Sequence, residues 1–211
     1  MPTTEQARAW YDPSDPVHGW DHVVRVLQLA ERLGAELGGD VDILRAAALL
    51  HDASGAAPDE AGGRAEHEVD SADFARRVLA LEGWPAERIE AVADCIRGHR
   101  FRGREQPKTL EAKILFDADK LDVMGAFGAA RTIGYAVQAG NPIYAEPSER
   151  FLTGGDLEPG EAHSAYHEYL FKLRHVRERL QTEPARRMGE SRHRALTAFF
   201  EQMEAEAHGE G

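Results

Sequence analysis

The sequence predicts an all-α fold, and three observations carry that expectation. Apolar residues recur at helical spacing almost throughout. No run of alternating β-branched residues stands out. Gly and Pro fall between the periodic segments as helix stops and starts. Asp15-Pro16 reads as a cap followed by proline at the first helical position. From there Val23, Val26, Leu27, Ala30, Leu33 and Leu37 form a stripe that Gly38-Gly39 ends. Residues 41–51 are apolar nearly all round, the signature of a central, buried helix. Residues 53–65 (ASGAAPDEAGGRA) read as a loop. Helices follow at 67–81, 86–97, 109–121 and 122–138. Residues 139–160 contain three prolines and four glycines and read as a long loop, a candidate lid. Two more helices, about 162–181 and 184–206, complete the chain, with Pro184 suited to a first helical turn and a frayed acidic tail after Glu204.

The 211 residues fit one domain able to bury a core without disulfides. The expected layout is a single domain over 1–211, with a core of about 15–138, the loop or lid at 139–160 and C-terminal helices over 161–206 packed on the core. The lone cysteine, Cys95, lies in the apolar run Ile89, Val92, Ala93, Ile96 and reads as a core thiol rather than a nucleophile. MPTTEQARAW lacks a secretory pattern, and no apolar run approaches the roughly 20 residues needed to span a bilayer. A cytoplasmic protein without membrane contact is therefore expected, as a monomer or homodimer.

The formal charge of −12 argues against a partner as long as a nucleic acid. Basic residues nevertheless cluster. Arg97, Arg100, Arg102, Arg104 and Lys108 fall within 97–108, and eight Lys or Arg fall within 172–194. Such clusters on an acidic chain suit a small anion. Arg97 to Arg104, on a Gly-punctuated stretch, have the guanidinium chemistry for bidentate phosphate contacts, or they form a solvated basic loop.

Ala46-Ala47-Ala48-Leu49-Leu50-His51-Asp52 carries the chemical signal. An apolar helix delivers an imidazole and a carboxylate at its C-terminal end, where desolvation demands a partner and the helix dipole favours a cation. Upstream, His22 lies beside an amphipathic helix stripe, with His18 one turn before it. Downstream, Ile114-Leu115-Phe116-Asp117-Ala118-Asp119-Lys120-Leu121-Asp122 sets three acids and a lysine among apolar residues. Mixed imidazole and carboxylate donors suit Mn, Fe, Co, Ni or Zn, with Mg less typical.

These residues resemble the H…HD…D signature of the HD-domain superfamily, and the surrounding words resemble its small bacterial phosphohydrolases. The words are His18-Gly19-Trp20-Asp21-His22 with Arg25-Val26, the run into His51-Asp52, Asp117-Ala118-Asp119-Lys120-Leu121-Asp122 with Gly125, and the stretch around Thr182 and Arg192-His193. The likeness covers roughly 15–200. It implies an all-α HD-domain bundle and hydrolysis of phosphate esters or anhydrides, usually in nucleotides. It also implies one divalent ion (Mn, Fe, Co, Ni or Mg) on His22, His51, Asp52 and Asp119. Lys120 would contact substrate phosphate, or else pair with Asp117. Asp117 and Asp122 would orient ligating histidines or stand as helix-surface charges. His67 and His99 occupy the interval where binuclear members carry two extra histidines, so they would bind a second metal or substrate phosphate. His18 would join Arg97, Arg100, Arg102 and Arg104 at the phosphate.

The resemblance breaks at one point. Mononuclear nucleotidases of the superfamily carry a glutamate shortly after the doublet, and here Ala53-Ser54-Gly55-Ala56 follow. That leaves Asp52, Glu66, Glu68 or an unaided metal-activated water to handle the proton. Two rival readings stand beside the hydrolase: a di-iron oxygenase-type member, and a non-catalytic nucleotide-sensing module.

Overall fold

The computed structural model describes residues 1–13, 15, 19–54, 67–100 and 105–210. Among these residues the chain is helical and has no strand. The chain divides into two compact units, Met1–Lys120 with Gln181–Ala185, and Leu121–Leu180 with Arg186–Gly211. No helix among the described residues is long and apolar enough to cross a membrane.

The first unit is built on α1 (Thr4–Arg8), α2 (Trp20–Leu37), α3 (Val41–Leu50), α4 (His67–Leu81), α5 (Ala86–Gly98) and α6 (Leu110–Asp122) up to Lys120. Helix α3 is central. It packs against α1, α2, α4 and α5, as an element apolar on every side must, and Leu44 and Ala46 to Leu50 have no exposed surface. Its N-terminus is capped by Asp40, whose carboxylate accepts from the Asp42 and Ile43 N–H groups and pairs with Arg88. Near its other end the Leu49 carbonyl accepts from the Tyr11 hydroxyl at 2.9 Å. The approach of α2 to α3 depends on Gly34, where a Cβ would sit 2.5 Å from Leu44 Cδ1. Helix α2 begins at Trp20 with Gly19 as its cap; of the expected cap pair Asp15-Pro16, Pro16 lies outside the described residues.

The second unit contains α7 (Gly125–Gln138), α8 (Glu149–Gly154), α9 (Ala165–Phe171), a 3₁₀ turn (Leu173–His175), α10 (Val176–Arg179) and most of α11 (Glu183–Ala207). Its core gathers Phe151, Tyr166, Tyr169, Leu170, Leu196 and Phe200, with Tyr169 stacked on Phe200 at 4.4 Å. Two expectations are corrected here. The stretch 139–160 is not loop throughout, because it contains α8. Ser148 caps that helix, and Glu161 binds the Ser148 N–H and hydroxyl at 2.7 Å each. The expected helix over 162–181 is broken into three pieces. A 3₁₀ turn over Leu173–His175 separates α9 from α10, and Leu173 and Val176 are buried there.

Candidate metal centre

Five helices of the first unit bring their ends to one place. His22 is the third residue of α2, and His67 is the first of α4. His51 and His99 are the C-cap residues of α3 and α5, Asp52 follows directly, and Asp119 and Lys120 lie in the last turn of α6. The C-terminal ends of α3, α5 and α6 carry partial negative charge, a setting that favours a cation. All seven residues are buried, none more than 7% exposed.

Asp52 lies between two pairs of imidazoles. Its Oδ2 is 4.0 Å from His22 Nε2 and 3.8 Å from His51 Nε2. Its Oδ1 is 3.5 Å from His67 Nε2 and 3.6 Å from His99 Nε2. Asp119 Oδ1 is 3.5 Å from His22 Nε2, and its Oδ2 accepts from Lys120 Nζ at 2.6 Å. Two ligand sets result, His22-His51-Asp52 and Asp52-His67-His99, each with donor atoms within 4.8 Å of one another.

The hydrogen bonds behind the rings assign their tautomers. His51 Nδ1 faces the Ala48 carbonyl at 2.8 Å and His99 Nδ1 faces the Ile96 carbonyl at 2.5 Å. In its neutral form each ring donates backwards and presents its Nε2 lone pair forwards. Burial pushes His51 below its ordinary range against the opposing pull of Asp52, which keeps it neutral. Burial alone would raise the Asp119 carboxyl; Lys120 and the imidazoles of His22, His99 and His51 outweigh it and hold the group well below the usual carboxylate range. Lone pairs of His51 and His99 thus face carboxylate oxygens in a buried space, and His51 Nε2 lies 3.3 Å from His22 Nε2. Electron-rich atoms held together in this way fit a divalent cation, which requires deprotonated ligands.

The other candidates fall as follows. Arg97 pairs with Asp94 and with Glu105, the latter at 3.0 Å. Arg100 pairs with Glu68 at 3.0 Å, and Glu68 Oε2 lies 3.5 Å from His67 Nδ1. His18, Glu66, Arg102 and Arg104 lie outside the described residues. Lys120 pairs with Asp119 at 2.6 Å. Asp117 and Asp122 are buried, so neither is a helix-surface charge. Asp117 accepts from the Gln181 N–H, the Thr182 N–H and the Thr182 hydroxyl, all at 2.7 Å, and Asp122 pairs with Arg131 at 2.9 Å. Sequence reasoning missed Ser71, whose hydroxyl donates to the Ser54 carbonyl at 2.6 Å and accepts from its N–H. Its signal was a small polar residue one turn beyond His67 on the buried face of α4.

A helical fold whose helix ends converge on a His, His-Asp, Asp cluster defines an HD-type protein. The HD domain family profile matches residues 19–124, and the chain belongs to that family. Among individual proteins it is similar to YpgQ of Bacillus subtilis, 29% identical over 97% of this chain and 94% of that one. The crystal structure of YpgQ in complex with ADP superposes with a TM-score of 0.72 at 27% identity, over 97% of both chains. An HD-superfamily hydrolase from Bacillus thuringiensis gives 0.65 at 25% identity, over 97% of this chain and 96% of that one. A Lactobacillus plantarum structure covers all of both chains with a TM-score of 0.76 at 24% identity, a likeness of fold.

Proposed function

We propose that the chain is a metal-dependent phosphohydrolase acting on phosphate esters or anhydrides of nucleotides. The observation that carries this reading is the buried Asp52, faced on both sides by imidazoles whose Nε2 atoms point at its oxygens. His22, His51, Asp52 and Asp119 would hold one divalent ion, and Asp52, His67 and His99 fit a second. A cation bound there supplies an acidified water and a polarised phosphoryl oxygen. Lys120, beside Asp119, would offset charge that develops on the phosphoryl group. HD-family membership and the hydrolase among the related structures support the reaction class. The ADP in YpgQ supports a nucleotide as ligand.

The test is a screen for phosphate and pyrophosphate release from nucleoside mono-, di- and triphosphates with Mn, Co, Ni or Mg, using Asp52→Ala and Asp119→Ala as controls. Cation-dependent release that both substitutions abolish is expected. Wild-type release by either variant contradicts the site. Nucleotide binding without turnover under any metal favours a sensing module, and two irons per chain with oxygen consumption favours the oxygenase reading.

A further inference from the structure

The histidines of the cluster are not anchored alike, and the difference follows from helix polarity. His51 and His99 end helices, where carbonyl groups lack intrahelical partners, and each ring turns its Nδ1 to the carbonyl three residues back. His67 begins α4. A helix N-terminus offers free N–H groups rather than carbonyls of its own helix. The Glu68 carboxylate lies beside the ring, with Oε2 3.5 Å from Nδ1.

Glu68 is itself buried, and a buried carboxylate needs a partner. Arg100 provides it, placing Nη1 at 3.2 Å from Oε1 and 3.0 Å from Oε2. The arrangement is reciprocal along the chain. Each of the doublets His67-Glu68 and His99-Arg100 gives one ring facing Asp52 and one charge. The two charges tie the start of α4 to the residues just after α5, holding the ring centroids of His67 and His99 5.4 Å apart.

We infer that Glu68 and Arg100 are a positioning pair that holds His67 with Nδ1–H towards Glu68 and the Nε2 lone pair towards Asp52. This assigns to Arg100 a bracing role instead of a direct phosphate contact, and to Glu68 a role other than proton acceptor. The inference rests on the metal centre proposed above, because an oriented Nε2 lone pair matters only if something is to be bound there.

Imidazole tautomers are read directly from two-bond proton–nitrogen correlation spectra of the full-length, histidine-labelled protein at pH 8, first freed of metal and then titrated with Zn²⁺ as a diamagnetic probe. His67 is expected as the Nδ1–H form in the metal-free wild type. Glu68→Ala is expected to move it to the Nε2–H form, leave His51 and His99 unchanged, and weaken Zn²⁺ binding about 10- to 100-fold, the usual effect of losing a partner behind a ligating histidine. Arg100→Met is expected to give a mixed His67 signal, and Arg100→Lys to restore the Nδ1–H form. An Nε2–H signal on His67 in the wild type overturns the inference without any variant, so a poorly folding Glu68→Ala leaves it testable. A Glu68→Ala protein that loses turnover while His67 keeps its tautomer also overturns it, and makes Glu68 the proton acceptor. Since the tautomer is read without metal or substrate, an absence of hydrolysis with the expected spectra counts against the proposed function alone.

Discussion

At the scale of single residues, the cluster shifts the titration of His51 and Asp119, lowering both. The depressed His51 gives a signed pH dependence. Folded His51 stays neutral below its ordinary 6.5, while the unfolded chain takes up the proton there, so the unfolded state binds more protons and stability falls with falling pH. Metal-free protein should therefore melt at a lower temperature at pH 5.5 than at 7.5, with a smaller difference in His51→Gln. Equal melting temperatures at the two pH values would contradict the neutral assignment. Lys120 makes a different kind of test. Its ammonium pairs with Asp119, and in the proposed reaction it would stabilise phosphoryl charge. Lys120→Met should lower kcat by about 10²- to 10³-fold, the scale of losing one transition-state donor, without weakening cation binding. A loss of cation affinity that matches the loss of rate would make Lys120 part of the ligand shell's support instead.

At the scale of elements, the first unit was largely legible. Residues 41–51 read as a buried helix because no face of it is polar, and α3 proved central for that reason. The ends of α4 and α5 followed from ordinary periodicity and stop signals. What spacing could not supply was which helix ends meet. His67 and His99 lie far apart in sequence, and only the family resemblance put them near His51-Asp52. The second unit was less legible. Helix α8 was hidden among prolines and glycines because side-chain bonds between Ser148 and Glu161 hold it, not propensity. Asp117 shows the same limit. Its position in an apolar helix announced a buried partner, but that partner is the backbone at 181–182, more than sixty positions away. Asp117→Ala leaves those buried N–H groups unmet and should destabilise the protein by about 3 kcal/mol, whereas Thr182→Val, which loses only the hydroxyl, should cost about 1 kcal/mol. Denaturant titration measures both, and equal effects would mean the backbone bonds are not what Asp117 serves.

At the scale of the whole molecule, the proposed ligands lie buried in a chain of formal net charge −12. Cys95 reports on the integrity of that interior. Burial, reinforced by Glu111, pushes its thiol up to about 12 from 9.0. Between those values the unfolded chain has lost a proton that the folded chain keeps, so Cys95 contributes stability that fades as pH rises through this range. At pH 8 the native thiol should be inert to a disulfide reagent and react only on unfolding; fast labelling of native protein would contradict its burial. The two compact units divide within α6, directly after Asp119-Lys120, so the proposed ligands all belong to the first unit. The most direct test of the central claim is a Mn²⁺ titration followed by the paramagnetic resonance of free ion, on wild type, Asp52→Ala and Asp119→Ala. Sequestration of Mn²⁺ by the wild type is expected. Each variant should lose affinity by more than about 100-fold, beyond the effect of an outer partner. Wild-type binding by Asp52→Ala would contradict the account, because all four imidazoles face the Asp52 carboxylate.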